Sequence, residues 1–345
     1  MNAAVPPRML LTDDQKAAQI RIVVTEAGQR LRERYPLLKH QNAIGAAILV
    51  LSLAGMIGCA SLYALGHLSA WACIPLVAIF ASFTHELEHD LIHWMYFRKR
   101  PALHHLMMAL VWLARPSTVN PWIRRHLHFA HHKFSGSERD LEERGITNGD
   151  RWGLRRLIMV GDNVQSVLLR LTRAPRGRRL KLLARAAAAY FPLGWLHWGT
   201  WYAFLGFHAA NGVAHLLGHA IVWPAGVLSV MPAINFFTVV LVAPNVLRTF
   251  CLHFVSSNMH YYGDVEPDNV IQQTQVLNPA WMLPLQLFCF NFGATHAIHH
   301  FVVKEPFYIR QMTAPAAHRV MRQMGVRFND TGTFRRANRW NRVAA

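Results

Sequence analysis

Long runs of apolar residues without charge limit the folds that are open to this chain. The first run, AIGAAILVLSLAGMIGCASLYAL, extends from Ala43 or Ile44 to about Leu65. At 1.5 Å of rise per helical residue, it is long enough to cross a hydrocarbon core of about 30 Å. Some forty, mostly polar, residues precede it, which is too many for a signal peptide (roughly 15–30 residues). We therefore expect a transmembrane helix that is retained in the mature protein.

Three further apolar segments continue this pattern. The segment that begins at Trp71, WACIPLVAIFASFTHELEHDLIHW, ends directly in histidines and carboxylates, so a second crossing returns the chain to the side of the N-terminus. Residues 102–113 are too short to span and predict a buried or interfacial helix. Residues 187–258 could cross two or three times, and parity favours two crossings, at roughly 187–208 and 225–245. The predicted fold class is an all-α integral membrane protein with about four transmembrane helices.

The charge distribution predicts which side of the membrane the polar parts occupy. A net charge of +18 arises from 36 basic and 18 acidic residues. In a soluble protein this excess would indicate a nucleic-acid partner, but here the basic residues adjoin apolar runs and no nucleic-acid motif is present. Residues 151–185 contain ten arginines or lysines and a single acid, Asp162. The positive-inside rule and contact with anionic lipid explain this pattern and favour a cytoplasmic position for the segment.

We expect three parts along the chain and no internal repeat. These are a cytoplasmic N-terminal segment at 1–42, a membrane domain at 43–305 and a basic cytoplasmic tail at 306–345. The four cysteines are isolated within or beside apolar segments and lack the pair spacing of a metal site. We interpret them as free thiols: Cys59, Cys73, Cys251 and Cys289.

The 21 histidines are more informative, and spacing sorts them into three sets. In HELEHDLIH, the residues His85, His89 and His93 recur every four positions. On a helix they lie on one face and can converge on a metal ion. The carboxylates between them fall on other faces, where one could accept the distal N–H of a ligand. An isolated HxxxH pattern is weak evidence, because histidines on a helix surface can show the same spacing.

The second set lies in RRHLHFAHHKFSGSERD, where His128, His131 and His132 form an HxxHH motif. Protonated rings would repel one another and the neighbouring arginines, so the cluster favours neutral rings that lend lone pairs to a cation. The adjacent pair is splayed by roughly 100° on a helix and can serve two metal ions. His126 fits the motif less well and could be an outer or structural residue.

The third set, HAIHH, repeats the HxxHH motif with His296, His299 and His300. His260, in SSNMHYYGD, follows the last long apolar run and reaches the same side of the membrane. Two HxxHH motifs and one HxxxH motif at a helix end make a coincidence improbable. The pair His215 and His219 also has HxxxH spacing, but parity puts it at the opposite membrane face. We therefore exclude that pair from the site.

The number of imidazoles narrows the choice of metal. Zinc sites close with three or four ligands, and some ten nitrogens are too many for one such ion. Imidazole also suits iron and copper, and two ions that share about five nitrogens each fit the count. Nitrogen-rich coordination beside a helical bundle that can hold an acyl chain indicates oxygen activation.

These motifs resemble the membrane fatty acid desaturase and hydroxylase superfamily over about residues 40–305. Its histidine boxes HxxxH, HxxHH and HxxHH hold a di-iron centre on the cytoplasmic side of a four-helix bundle. The second box is similar to the HxxHHKFS run of acyl-CoA desaturases, here His128 to Ser135, followed by an acid at Asp140. The HYYGD segment at His260 resembles their additional histidine and Tyr-Gly turn. The resemblance implies a histidine-rich di-iron cap, two iron ions as cofactors and O2 as co-substrate.

The chain also departs from acyl-CoA desaturases. Ser256 stands four residues before His260, where those enzymes have asparagine, and Asn258 is out of register. His253, seven residues before His260, lies on the same helical face and could replace the missing ligand. The reaction therefore stays open between desaturation, hydroxylation and oxidative loss of the carboxylate. The superfamily includes membrane enzymes that convert free fatty acids to terminal alkenes, and this chain resembles them at least as well.

The resemblance also implies partners and a location. The substrate is a fatty acid or acyl chain, and Arg124 and Arg125, just before the second box, could hold its carboxylate or contact lipid phosphate. The chain lacks a cysteine-ligated cluster, a haem motif and a flavin site, so electrons come from a ferredoxin or small cytochrome with its reductase. We expect the inner membrane of a bacterium, with the active site on the cytoplasmic side. The rival functions are a histidine-lined metal transporter and a membrane anchor with incidental histidines.

Overall fold

A computed structural model describes residues 11–341 of the chain, and within this range the protein is helical. Two isolated β-bridges and no strand occur there. Short 3-10 helices lie at Pro36–Lys39, Ala280–Met282 and Thr331–Phe334. The α-helices in this part of the chain are α1 (Asp13–Arg34), α2 (Gln41–Ala64), α3 (Ala70–Ile92), α4 (Pro101–Ala114), α5 (Pro121–Phe134), α6 (Leu141–Gly145), α7 (Leu154–Gly161), α8 (Asn163–Leu171), α9 (Arg176–Tyr190), α10 (Leu193–Leu216), α11 (Ala225–Phe237), α12 (Ala243–Met259), α13 (Val270–Gln273), α14 (Leu283–Leu287), α15 (Phe292–Phe301) and α16 (Phe307–Gln323).

Three helices in the described range are long and apolar enough to cross a membrane. Two of them are α2 and α3, which pack against each other as a hairpin. The third is a 35-residue helix, Ala225–Met259, formed by α11 and α12 with a π-helical segment between them. A helix satisfies its own backbone hydrogen bonds, which lipid cannot do. The protein is therefore an integral membrane protein.

The predicted fold class is confirmed, and the count of about four crossings is approximate. The predicted crossing at 187–208 overlaps α10, which is 24 residues long and uncharged but is not among the three apolar spans. Three histidines and Asn211 lower its hydropathy. The crossing expected at 225–245 is longer than predicted, because its helix continues to Met259. The short helix α4 packs against α2 and α3, as expected for a segment too short to span.

A proline explains the π-helical segment Thr238–Val242. Pro244 follows it, and a proline has no N–H to continue the regular hydrogen-bond ladder and crowds the carbonyl four residues earlier. The side-chain amide of Asn245 donates to the carbonyl of Leu241 at 3.0 Å and to that of Ala114 at 3.1 Å. Asn245 thus gives one carbonyl of the irregular turn a partner and links the long helix to the end of α4.

Four helix ends meet at one end of the bundle and carry the predicted histidines. α3 packs against α12 and α5, and α12 packs against α15. Because α3 and the α11–α12 helix both deliver their C-terminal ends here, the α10–α11 connection lies at the opposite end. His219, in that connection, precedes a helix of 35 residues, which at 1.5 Å per residue is roughly 50 Å long. His215 and His219 are exposed there, as parity predicts.

The C-terminal part of the described range is packed into the same body. Helix α16 packs against α1, α3 and α15, and its residues Ala317, Val320 and Met321 belong to the core that also contains Ile20 and Ile298. The structure does not test the predicted boundary at 305/306, which stays a prediction. Residues 307–323 nonetheless form part of the support beneath the histidine-bearing helix α15.

Candidate metal centre

Nine histidines converge at this end of the bundle, and eight of them fall into two groups of four. Within each group one ring nitrogen of every member lies within 4.8 Å of the others. The first group comprises His89, His93, His128 and His299, and the second comprises His131, His260, His296 and His300. His132 joins the first group, since its Nε2 atom lies 3.1 Å from that of His128 and 3.0 Å from that of His299. Each predicted box contributes to this assembly.

Helical spacing explains how each element aims its rings. On α5, His128 and His132 are one turn apart, and His131 lies beside them on the adjoining face, so one helix contributes to both groups. On α15, His296, His299 and His300 share a face but also divide between the groups. The adjacent histidines of both HxxHH motifs therefore divide between the two groups, which for His131 and His132 is the splay that the sequence predicts.

Carboxylates hold the outward nitrogen of two rings. His128 Nδ1 lies 2.7 Å from Glu142 Oε2, and His131 Nδ1 lies 2.8 Å from Asp140 Oδ2. An ionised carboxylate only accepts hydrogen bonds, so both rings donate through Nδ1 and turn the lone pair of Nε2 towards the cluster. Carboxylate partners of this kind orient metal-binding histidines. Gly136, with φ at +80°, turns the chain after α5 and brings these acids back to the rings.

Two more rings are held by neutral or nearby acidic acceptors. His260 Nδ1 donates to the backbone carbonyl of Ser256 at 3.0 Å and lies 3.2 Å from Glu143 Oε2. His300 Nδ1 lies 3.2 Å from the side-chain oxygen of Gln273. His260 itself ends α12 in an extended conformation and bridges to Thr274, so its position is fixed by backbone contacts. Its Nε2 is thereby aimed inward.

Burial keeps most of these rings neutral. Burial and the neighbouring histidines hold the pKa values of His132, His296, His299 and His300 below the ordinary range. His131 differs: burial disfavours its charged form, but Asp140 outweighs burial and raises the pKa of the ring to about 9. Burial also opposes ionisation of Glu142, yet His128 and Arg124 hold its pKa well below the usual value. Glu142, which orients His128, therefore stays ionised.

The inward nitrogens fit a metal better than they fit one another. The Nε2 atoms of His93, His128, His132 and His299 form a chain with neighbours 2.9 to 3.1 Å apart. His128 has its proton on Nδ1, so its Nε2 can only accept. In the part of the chain that is described, both ring nitrogens of His89 and the Nε2 of His260 are buried without a hydrogen-bond partner. Buried polar atoms usually have partners, and a cation would supply them here.

Comparison with known proteins identifies the family. The sequence profile of the family described as fatty acid desaturase matches residues 65–332. The chain belongs to the fatty acid desaturase family. A search of curated proteins found no match. The predicted resemblance is therefore confirmed, and this membrane desaturase-family protein is an oxidoreductase that acts on fatty acid or acyl chains.

Several residues predicted for the desaturase-family site lie outside the two groups. His85 is one turn before His89 on α3, and it belongs to neither group. His126 is exposed on α5. His253 lines a neighbouring cavity, and the side chain of Asn258 is engaged by Trp152 at 2.7 Å. The backbone carbonyl of Ser256 accepts the hydrogen bond from His260 Nδ1, and the hydroxyl of Ser256 donates to Glu143 Oε1 at 2.8 Å.

The two arginines predicted to hold a carboxylate already have partners. Arg124 donates to Glu88 Oε1 at 2.8 Å and to Glu142 Oε1 at 3.0 Å. Arg125 donates to the carbonyls of Leu91 and Ile92, contacts a ring nitrogen of His104, and stacks over Trp94. Both guanidinium groups thus make protein contacts around the site, and their role in holding a substrate carboxylate stays a prediction.

Sequence reasoning missed five residues of this environment: Arg115, Glu142, Glu143, Arg248 and Gln273. The acid run that directly follows Asp140 was a signal for Glu142 and Glu143, because it continues the second box. The carboxylates within the first box pair with arginines: Glu88 contacts Arg115, and Asp90 contacts Arg310 at 3.0 Å. Arg115, in turn, lies 3.4 Å from His85 Nδ1.

Two adjoining cavities lie beside the desaturase-family histidines. The first, of about 230 Å³, is lined by rings of both groups, including His89, His128, His131 and His296. The second, of about 260 Å³, lies between α8, α9 and α10, and its wall is mostly apolar. Both are lined by three common residues, Asn163, Val167 and Tyr190. The cavities therefore adjoin, one beside the histidine groups and the other between α8, α9 and α10.

Proposed function

We propose that this chain is an oxygen-dependent non-haem di-iron oxidase that converts a fatty acid or acyl chain to an alkene. The observation that carries the proposal is the division of nine histidines between two centres, with Nδ1 atoms held by Asp140, Glu142 and other acceptors. Each centre offers four or five imidazole nitrogens, a set that suits iron. Family membership supports the same chemistry.

The proposed metal ligands are the nine gathered histidines: His89, His93, His128, His131, His132, His260, His296, His299 and His300. When bound, iron would supply oxygen activation and the removal of hydrogen from an unactivated C–H bond. Asp140, Glu142 and Glu143 keep the rings oriented, and the buried surroundings exclude bulk water. His85 stays outside the proposed ligand set, together with His126 and His253.

The paired cavities support a substrate with a long apolar tail. The second cavity, here called the outer cavity, is lined by Val164, Val167, Leu183 and Trp198 among others. Its mostly apolar wall matches an acyl chain in polarity. Leu183 is exposed on α9, a helix that has no buried residue and carries many arginines. This composition is typical of a helix that lies at a membrane surface. We propose that the acyl chain of the substrate enters laterally from the lipid, between α9 and α10.

The reaction requires electrons from another protein. Formation of an alkene removes two electrons from the substrate, whereas reduction of O2 to two waters consumes four, so a donor supplies the remaining pair. Five basic residues on α9 are exposed and offer a surface for an acidic ferredoxin or small cytochrome: Arg176, Arg178, Arg179, Lys181 and Arg185. Because α1 and this basic surface adjoin the site end of the bundle, the proposal puts the site on the cytoplasmic side of a bacterial inner membrane.

Product analysis tests the proposal and separates its branches. Membranes that contain the protein are incubated with a free fatty acid, oxygen and a ferredoxin system, and lipids and headspace are analysed by gas chromatography. A terminal alkene one carbon shorter than the acid supports decarboxylation, and an internal double bond supports ordinary desaturation. A hydroxy acid as the main product would support hydroxylation, and no oxygen-dependent product would contradict the oxidase.

A further inference from the structure

Arg248 is a buried arginine that lacks an acidic partner. It is 1% exposed, and within the described residues no carboxylate lies within salt-bridge distance. Its Nη2 donates to Thr249 Oγ1 at 3.0 Å, and its Nε is 3.4 Å from Asn245 Oδ1. Its Nη1 has no hydrogen-bond partner in this range. A buried cation with unused donors is costly unless a ligand completes it.

The unpaired arginine lines the first cavity, here called the inner cavity. Arg248, Leu252 and Ser256 recur every four residues on α12, and all three line that cavity. The same wall includes His85 and His89, which are one turn apart on α3. Arg248, with its unpartnered Nη1, therefore forms part of the wall of the chamber that also borders the histidine groups.

His85 provides a second unused donor to this chamber. Arg115 Nη1 lies 3.4 Å from His85 Nδ1, and a guanidinium only donates, so Nδ1 is the acceptor. The proton of the neutral ring is then on Nε2, which is buried without a partner among residues 11–341. This explains why a histidine of the first box lines the cavity but does not join either group.

The surrounding charges favour an anion. Arg124, Arg170 and Arg248 line the cavity together with the acids Glu142 and Glu143, and the buried pair of Arg115 and Glu88 adjoins Arg124. Glu143 is held by His260 and Ser256. Glu88 is shared by Arg115 and Arg124, and Glu142 is shared by Arg124 and His128. None of these acids is within salt-bridge distance of Arg248. Two arginines that line the cavity have an unpartnered N–H group among the described residues, and Arg248 is the buried one, whereas Arg170 is partly exposed.

The geometry points to a carboxylate site formed by Arg248 and His85, which binds the head group of a free fatty acid. This inference rests on the proposed function and names its substrate class. Arginine binds a carboxylate through parallel hydrogen bonds, and His85 would add a third donor. His85 is one helical turn from His89, so the head group lies in the inner cavity and the tail extends past Val167. Carbons next to the carboxylate are then the nearest to the histidine groups.

The size of the cavity also disfavours a bulky head group. The cavity beside the donors is about 230 Å³, and its wall is formed mainly by residues of α3, α5, α6, α8, α12 and α15. A thioester to a nucleotide carrier would replace the anionic oxygen with a neutral group and leave Arg248 unpaired. The site therefore selects the free acid over an acyl thioester, an ester or an alcohol of the same chain length.

Equilibrium binding to the purified iron-loaded protein in nanodiscs of zwitterionic lipid tests the site without turnover. The probes are a radiolabelled fatty acid, its methyl ester and the corresponding alcohol, measured anaerobically at neutral pH. We expect the wild type to prefer the acid by roughly 10- to 100-fold, because hydrogen bonds to charged groups are the strong ones. Equal affinity for acid and alcohol would overturn the proposal, even if no variant could be purified.

Variants locate the site. Arg248→Met should abolish the preference for the acid while retaining affinity for the alcohol and iron content, and Arg248→Lys should keep part of it. His85→Gln should weaken acid binding less than Arg248→Met does. The matched control is Arg170→Met, since Arg170 also lines the cavity without a salt bridge but is partly exposed. Loss of the preference in Arg170→Met, with retention in Arg248→Met, would contradict the assignment.

Iron content and product formation, measured on the same preparations, separate the two proposals. A wild-type protein that contains iron and forms product but has no preference for the acid would refute the carboxylate site alone. A protein that neither binds iron nor oxidises any acyl substrate would refute the proposed function.

Discussion

His131 donates its Nδ1 hydrogen to Asp140 at 2.8 Å, and the two residues are nine positions apart in the sequence. The other carboxylate oxygen of Asp140 caps α6 by accepting from the backbone N–H of Glu143 at 3.2 Å. One side chain thus fixes the second histidine box and starts the short helix that contains Glu142 and Glu143. The orientation of His131 depends on how the chain reverses after α5.

Asp140→Asn should lower iron affinity without unfolding the protein. Asparagine can still cap α6, but its amide accepts a weaker hydrogen bond from His131. Loss of such a carboxylate partner typically reduces metal affinity by about 10- to 100-fold. Iron retained after dialysis against a chelator measures the effect. Glu138→Gln, at an exposed position in the same loop, is the control. Equal iron retention by both variants would contradict the role of Asp140.

Arg310→Met should destabilise the protein strongly. Arg310 on α16 is buried, with Nη2 3.0 Å from Asp90 Oδ1 and 3.5 Å from Glu86 Oε2 on α3. Removal of one partner of a buried ion pair leaves an uncompensated charge and costs about 3–5 kcal/mol. The thermal unfolding midpoint in detergent should fall for Arg310→Met and stay unchanged for Arg319→Met, at an exposed position on the same helix. An unchanged unfolding midpoint for Arg310→Met would show that this ion pair between α16 and α3 does not stabilise the fold.

The sequence predicted the site better than it predicted its surroundings. Spacing of histidines is a local property, so eight of the nine proposed ligands could be chosen from HxxxH and HxxHH patterns, and His260 was added from the HYYGD segment. His85 shares that spacing with His89, and only the tertiary position of Arg115 separates the two. Arg248 was not recognised because nothing next to it in the sequence shows that its guanidinium faces a cavity without an acid. Such partnerships join distant segments, which helical periodicity cannot reveal.

Val167→Trp should shorten the preferred substrate. Val167 lines both cavities, so a larger side chain there obstructs the path between them. We expect turnover of long-chain acids to fall by roughly tenfold or more relative to short-chain acids, since a filled passage excludes the tail. Competition between acids of different length, followed by gas chromatography, measures the ratio. Ala184→Trp, on the exposed side of α9, should leave it unchanged. An unchanged ratio for Val167→Trp would indicate another path for the tail.

Charge reversal on α9 should weaken the binding of the electron donor. In the double variant Arg178→Glu/Lys181→Glu, two exposed cations become acids. The apparent KM for an acidic ferredoxin should rise by roughly tenfold at low salt and less at high salt, because exposed charges mainly steer association. Turnover with a small chemical reductant should not change. Arg319→Glu, at an exposed position on α16, provides a control. If the ferredoxin KM stays at the wild-type value, the donor binds elsewhere.

Metal analysis of the purified protein tests the central claim most directly. Protein expressed with ⁵⁷Fe and purified in detergent is analysed for total metal and by Mössbauer spectroscopy, next to His296→Ala and His215→Ala variants. The two histidine groups predict two high-spin irons per chain in the wild type and in His215→Ala, and substantial loss in His296→Ala. Zinc in place of iron, or an iron content that does not depend on His296, would contradict the account.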